Sequence, residues 1–219
     1  MNDYEPLLST IDLFSGINII ELEPMLGCLS SEKKIVRKGG IILLAGEKPG
    51  NIGVVLTGQL HIVRDDYEGN RSLIAVLTPG DIFAEALCCA GVSESPVTVL
   101  ADLDSTVLLL KFERIMQTCP NSCEYHRTLI ENMLGIIAKK NLLLQSRMEI
   151  ISMKSIRARV LRYLESLAPR KGSQITVPLN REEMANFICV ERSALSHELM
   201  KMRMDGLIDY RKNKFVLKV

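Results

Sequence analysis

Between Asn121 and Ser152 the chain has no proline and a single glycine, Gly135, and its apolar residues follow a rule. Ile130, Leu134, Ile137, Asn141, Leu144, Met148 and Ile151 succeed one another in alternating steps of four and three. Steps of that kind describe one helix with a seam that faces a partner helix, and the lone polar Asn141 at a seam position fixes register and favours a pair. Leu129, Met133, Ile136 and Leu143 form a second apolar stripe beside it. One stripe is expected to meet a second copy of the same helix, the other the preceding part of its own chain. A long helix buried in one monomeric core is the alternative.

Ahead of this helix the rhythm is different. Ile41–Ala45, Gly53–Leu56, Leu60–Arg64, Ser72–Leu77 and Thr106–Phe112 are apolar or β-branched runs, separated by Gly39-Gly40, Gly46, Gly50, Gly58, Glu68-Gly69-Asn70 and Pro79-Gly80. Short runs with frequent turn signals predict an antiparallel sandwich or barrel. Short helices are expected before it, near Thr10–Leu13 and Glu21–Leu29.

After the helix comes a third segment. Ser155–Leu167 carries Ile156, Val160, Tyr163, Leu164 and Leu167 on one face, and Ile175–Leu179 reads as a short strand. Asn180-Arg181-Glu182-Glu183 places an acidic residue three positions after a helix N-cap, a capping-box variant. That helix runs to about Ile188. A second runs from near Glu191 to Met204, and a hairpin turns about Lys212-Asn213. Two short helices, a tight turn and a basic hairpin make a winged helix-turn-helix.

Charge is divided along the same lines. Residues 152–219 hold 14 Lys/Arg against 7 Asp/Glu, whereas residues 1–151 hold 13 against 19, so a net +7 segment follows a net −6 body. Only the C-terminal end is expected to meet a polyanion. No run reaches the roughly 18 apolar residues of a membrane span, and the start lacks the basic flank and apolar stretch of a signal peptide. A cytoplasmic protein without membrane contact is expected. The cysteines, Cys28, Cys88, Cys89, Cys119, Cys123 and Cys189, show no paired C-x-x-C spacing, so neither a metal site nor a disulfide framework is expected.

The stretch from Val190 to Leu199 is the most informative. As a helix it turns Ala194, Leu195 and Leu199 inward and leaves Arg192, Ser193, Ser196 and Lys201 facing out. A major groove admits such a helix, and arginine can grip guanine O6 and N7 with a bidentate fork. His197 is a further candidate, a strong donor only when protonated. Arg211, Lys212 and Lys214 in the hairpin would neutralise phosphates without reading sequence.

With these residues in place, the whole chain resembles the cyclic-AMP receptor protein/FNR (Crp/Fnr) family of bacterial transcription regulators. The matching stretches are Gly58-Gln59-Leu60, Glu68-Gly69-Asn70-Arg71, Pro79-Gly80-Asp81-Ile82-Phe83 with Glu85, and Asn180 to Ala185 through Asp205-Gly206-Leu207-Ile208. The resemblance implies an α+β protein in three parts. Residues 1–119 form an antiparallel β-roll of the cyclic-nucleotide-binding jelly-roll kind that senses an effector. Residues 120–151 form the dimerisation helix, and residues 152–219 the winged helix-turn-helix. It further implies a homodimer on a palindromic double-stranded DNA operator, a contact with RNA polymerase, and base contacts at Arg192, Ser193 and His197, the last standing where the family usually has arginine.

Departures bear on the effector. In cyclic-AMP-binding members a glycine precedes the pocket glutamate, and an arginine followed by a serine clamps the phosphate. Here Ala84 precedes Glu85, and Ser95-Pro96 occupies the place of Arg-Ser. An anionic phosphate has lost its charge-assisted fork, so cyclic AMP is not expected. Only Cys28 lies near the N-terminus, too few for an iron–sulfur cluster; haem sensing stays open although no His or Cys carries a distinctive signature for it, and no cofactor is assigned. Glu85, Ser95, Cys88 and Cys89 remain the candidate effector pocket, with the adjacent cysteines either a redox sensor or a packed pair of small residues. No clustered His and carboxylate ligands and no Gly-x-Ser-x-Gly, phosphate-loop or His-Glu-x-x-His motif points to an enzyme. The competing expectation is a ligand-binding signalling module whose winged helix binds a protein partner.

Overall fold

The computed structural model describes residues 4–117, 124–168 and 174–218. The chain separates into two compact units, Met1–Ala138 and Lys139–Val219. In the first, helices Glu5–Leu8 (α1) and Ile19–Cys28 (α2), with a 3-10 turn at Asp12–Phe14 between them, precede eight strands. These are Glu32–Val36 (β1), Ile41–Leu43 (β2), Asn51–Thr57 (β3), Leu60–Asp65 (β4), Arg71–Leu77 (β5), Ile82–Phe83 (β6), Thr98–Ala101 (β7) and Ser105–Lys111 (β8). Helix Glu85–Cys89 (α3) sits between β6 and β7, and Phe112–Met116 (α4) follows β8. Helix α5, Glu124–Ser152, runs into the second unit, which holds Ile156–Leu167 (α6), Gln174–Thr176 (β9), Arg181–Phe187 (α7), Arg192–Met204 (α8), Ile208–Arg211 (β10) and Lys214–Leu217 (β11).

The eight strands form two four-stranded antiparallel sheets, ordered β1-β8-β3-β6 and β2-β7-β4-β5. The first is covered on both faces. Successive strand residues point to opposite sides, and β3 divides accordingly. Val55 lies in the core with Leu60, Val99, Val107 and Phe83, while Ile52, Val54 and Leu56 join Leu22, Leu26, Leu129 and Met133 in the other. Five consecutive buried residues in β3 are the result. This is why its sequence reads as a continuous apolar run rather than an alternation.

Strands β1, β6 and β7 carry no such signal. β1 is Glu-Lys-Lys-Ile-Val with only Val36 buried. It sits at a sheet edge, where lysines discourage pairing with another chain. β6 is two residues long and β7 four. All three exist because a neighbouring strand supplies their hydrogen bonds.

Helix α5 is shared between the two units, so the segment expected to stand apart as residues 120–151 divides near Ala138. Leu129, Met133 and Ile136 are buried in the first unit's core and Ile150 in the second's. On the seam, Ile130 and Ile137 are half-buried, whereas Leu134, Leu144 and Met148 are 61%, 59% and 66% exposed and Asn141 is exposed too. Leu143, expected on the inward stripe, is instead exposed alongside Leu142. Three consecutive leucines therefore stand bare around most of one turn. The cysteine-bearing stretch 118–123, with Cys119 and Cys123, lies outside the described residues.

Gly58 shows how tightly the β-roll is wound. It joins β3 to β4 at φ +84, and a Cβ there would stand 2.5 Å from the Asp104 carbonyl oxygen and 2.7 Å from Ser105 Cα. Gly69, in the next hairpin, has the same φ of +84 but open space around it. Gly58→Ala should therefore cost roughly 2–4 kcal/mol, backbone strain plus overpacking, and Gly69→Ala only about 1 kcal/mol of strain. Urea unfolding of the two variants reads the difference; equal costs would mean that the backbone contact contributes nothing.

Candidate nucleic-acid interface

The second unit's core gathers Val160, Tyr163 and Leu164 of α6, Met184 and Ala185 of α7, Leu195, Leu199 and Met202 of α8, and Ile175, Ile208, Phe215 and Leu217 of the sheet. That sheet has the order β10-β11-β9. Helix α7 opens with the anticipated capping box. Asn180 Oδ1 accepts from the backbone N–H groups of Glu182 and Glu183 at 2.9 Å each, and the Glu183 carboxylate accepts from Asn180 N–H at 2.8 Å. The chain then turns sharply. Cys189 takes the left-handed conformation, φ +55, and Val190 N–H returns to the Ala185 carbonyl at 3.0 Å.

The carbonyls around this turn are held by two arginines. Arg147 donates to Phe187 and Asn186 at 3.2 and 3.5 Å. Arg159 donates to Ile188 and Cys189 at 3.2 and 3.0 Å, and to Met153 at 3.0 Å. A helix leaves its last carbonyls without intrahelical partners, and here guanidinium groups from α5 and α6 supply them.

Other arginines are also spent inside the unit. Arg157 bridges Glu198 and Asp205 of α8 at 2.6 and 2.8 Å. Arg162 pairs with Glu149 at 2.6 Å and Arg203 with Asp209 at 3.0 Å. Arg181 lies over the rings of Tyr210 and Phe215, 5.0 and 4.9 Å from their centroids, and donates to the Lys212 carbonyl at 3.0 Å. Burial between those rings pulls its pKa below the usual arginine value. It thereby ties the start of α7 to the hairpin tip, where Lys212 has φ +57. The tip is fixed again by Val177, whose N–H donates to Asn213 O at 2.8 Å.

The cations left over include the ones the sequence singled out. Arg192, Lys201, Arg211, Lys212 and Lys214 are exposed, and their side chains make no ion pair or hydrogen bond among the described residues. Ser193, Ser196 and His197 are exposed on α8 as well, with the Ser196 hydroxyl donating to the Arg192 carbonyl at 2.9 Å. Arg211, Lys212 and Lys214 border an open concavity of about 650 Å³ on the outer side of the hairpin sheet. The carboxylates Glu198, Asp205 and Asp209 are paired with Arg157 and Arg203. A basic surface remains, centred on one helix face and one hairpin. Sequence reasoning missed Arg147, Arg157, Arg159 and Arg181 as organisers, because a guanidinium counted for the net charge looks the same whether it faces solvent or a carbonyl.

The candidate effector residues are placed differently. Glu85 and Ser95 are buried, 5% and 3% exposed. The Ser95 hydroxyl donates to Val97 O at 2.7 Å and accepts from Val97 N–H, a local turn rather than a ligand contact. Ala84 holds φ +63 at the start of α3, the conformation that suits the glycine it replaces. The Cys88 thiol lies within reach of the Pro49 and Asn51 carbonyls at 3.7 and 3.5 Å, and Cys89 Sγ lies 3.9 Å from Met133 Sδ. A small cavity of about 130 Å³ beside α3 is lined by Ile42, Leu43, Pro49, Phe83, Ala84 and Leu109 among others. Glu85, Ser95, Cys88 and Cys89 do not line it.

Comparison with known proteins fits both halves. Residues 33–122 match the cyclic nucleotide-binding domain and residues 158–218 the Crp-like helix-turn-helix domain. The transcriptional activator protein FnrL of Cereibacter sphaeroides is 26% identical over 183 residues, 78% of this chain and 69% of that protein. The fold is that of the catabolite activator protein of Thermus thermophilus, with a TM-score of 0.56 and 18% identity, covering 94% of this chain and 93% of that one. DNR from Pseudomonas aeruginosa gives 0.53 and 18%, covering 100% and 95%. The chain belongs to the cyclic-AMP receptor protein/FNR family and is a transcription regulator with a DNA-binding helix-turn-helix. That family consists of regulators rather than enzymes. Among the described residues no helix is long and apolar enough to cross a membrane.

Burial, with Cys89 and Glu85 nearby, pushes the Cys88 thiol up to about 11. Thiolate is the reactive form, so at pH 8 only about one Cys88 in a thousand is ionised. Alkylation of the folded protein at pH 8 should leave Cys88 unmodified by peptide mass mapping, with labelling appearing on unfolding; rapid native-state labelling would restore the redox-sensor reading.

Proposed function

We propose that this regulator is a homodimer, paired along the bare face of α5, that reads a palindromic DNA operator with the solvent face of α8 under the control of a small effector other than cyclic AMP. The observation that carries the reading is the sorting of cations. Five basic side chains on one helix face and one hairpin are left without internal partners, while the arginines around them hold the fold. Neutralising phosphates with such groups releases counterions, so affinity should fall steeply as salt rises. Arg192 is assigned a base edge. Ser193, Ser196 and His197 line the same groove, and Lys201, Arg211, Lys212 and Lys214 take phosphates.

The dimer reading rests on Leu134, Leu144 and Met148, which stay largely exposed among the described residues. A two-fold pair would set two recognition helices about 34 Å apart, one DNA turn. The effector reading rests on what the β-roll lacks. No arginine stands at the phosphate-clamp position, and the Ser95 hydroxyl is committed to Val97. Whatever binds must favour the DNA-competent state over the other, or nothing shifts. Contact with RNA polymerase in the cytoplasm follows as the family's mode of action.

Selection of bound duplexes from a random pool, across salt concentrations and with and without small molecules from a cell extract, tests the whole reading. A palindrome with half-sites one turn apart is expected; recovery of no motif under any condition would sink it. On the selected operator, Arg192→Ala should cost roughly 1–3 kcal/mol and relax one position, while Lys212→Ala weakens all sequences alike and lowers the salt slope by about 1. Leu144→Lys should shift the protein toward monomer by sedimentation and weaken operator binding. An unchanged dimer would move the interface elsewhere.

A further inference from the structure

Helix α8 carries two apolar side chains that the basic surface does not account for. Met200 is 49% exposed and Met204 71%. Neither makes a hydrogen bond or ring contact among the described residues. At 3.6 residues per turn, Met200 and Met204 each lie within about 20° of Ser193 around the helix axis. Arg192, Ser196 and Arg203 flank that line on one side and His197 and Lys201 on the other, while Leu195, Leu199 and Met202 are buried opposite. Met200 therefore occupies the midline of the face assigned to DNA, not its margin.

A thioether there is out of place for phosphate. Docked in a major groove, it has to trade water for something, and the groove floor offers one apolar group, the 5-methyl of thymine. Reach distinguishes the two methionines. Helices that read a major groove do so over about seven residues, as in the homeodomain and the zinc finger. Ser193 to Met200 is that span, about 10 Å at 1.5 Å per residue, whereas Met204 is one turn beyond it. Met is also long and unbranched, so it can follow an irregular apolar surface.

We propose that Met200 is a specificity-determining residue that reads the 5-methyl group of a thymine in each operator half-site, with Met204 outside the contact. The inference rests on the DNA-binding reading above and deepens it. Arg192 at the start of the helix and Met200 two turns on would then read different bases of one half-site, the first by hydrogen bonds and the second by apolar contact.

The test uses the full-length protein and its selected operator, with each thymine replaced in turn by uracil, which removes only the methyl group. Wild-type protein should lose about fourfold in affinity at one thymine per half-site, the worth of burying one methyl group, and about fifteenfold when both half-sites are changed. Met200→Ala should bind thymine and uracil operators equally, and Met204→Ala should keep the wild-type loss. If no uracil substitution weakens the wild type, or if Met200→Ala retains the loss, the assignment of Met200 is overturned while DNA binding stands. Binding to no duplex at any salt concentration would overturn both.

Discussion

Four backbone carbonyls at the end of α7 and through the turn after it set much of the geometry of the DNA-binding unit. That of Asn186 already accepts from Cys189 N–H at 3.3 Å, those of Phe187, Ile188 and Cys189 would be stranded by a helix of seven residues and a tight turn, and Arg147 and Arg159 donate to all four. Because each guanidinium offers several donors in one rigid plane, it fixes the direction in which the chain leaves the turn as well as satisfying it. That direction is the direction of α8. Cys189 accepts a left-handed conformation that glycine would take with less strain, so the turn is held by its partners rather than by its own preference.

Charge is allotted by the same economy. Arginines, whose forks match carbonyls and carboxylates, do the internal work in this unit, while Lys201, Lys212 and Lys214 are left to solvent along with Arg192 and Arg211. Arg157 is the clearest case. By pairing with both Glu198 and Asp205 it ties α6 to the end of α8 and offsets one of two negative charges in the neighbourhood of the reading face. Arg181 does the corresponding work at the hairpin, stacked on Tyr210 and Phe215 and bonded to the Lys212 carbonyl. The surface offered to a polyanion is thus what remains after the fold's own electrostatic needs are met.

In the β-roll, the scaffold of the cyclic nucleotide-binding domain is present, and the candidate pocket residues Glu85 and Ser95 are buried within it. The glycine turns, the Gly58 close approach and the doubly covered sheet are all present, the Ser95 hydroxyl bonds Val97, and a cavity of about 130 Å³ lies beside Phe83 and Ala84. Ala84 adopts a left-handed backbone, φ +63, at the strand-to-helix corner into α3, a conformation that glycine takes with less strain.

Much was legible in the chain before any coordinates. Heptad spacing gave α5, turn spacing gave the β-roll, and Asn180 with Glu183 gave the start of α7, because each signal is local and carried by a few adjacent residues. The outward set on α8, Arg192, Ser193, Ser196 and Lys201, followed from helical period alone. Strands β1, β6 and β7 were not legible, since their hydrogen bonds come from strands distant in sequence, β1 buries only Val36, and β6 and β7 are short. Nor was the exposure of Leu143, the division of α5 between two units, or the separate duties of the arginines. Composition determines that this chain carries surplus positive charge at one end; only tertiary structure decides which guanidinium groups meet carbonyls and which meet solvent, because that choice depends on distances across the fold and not along the chain.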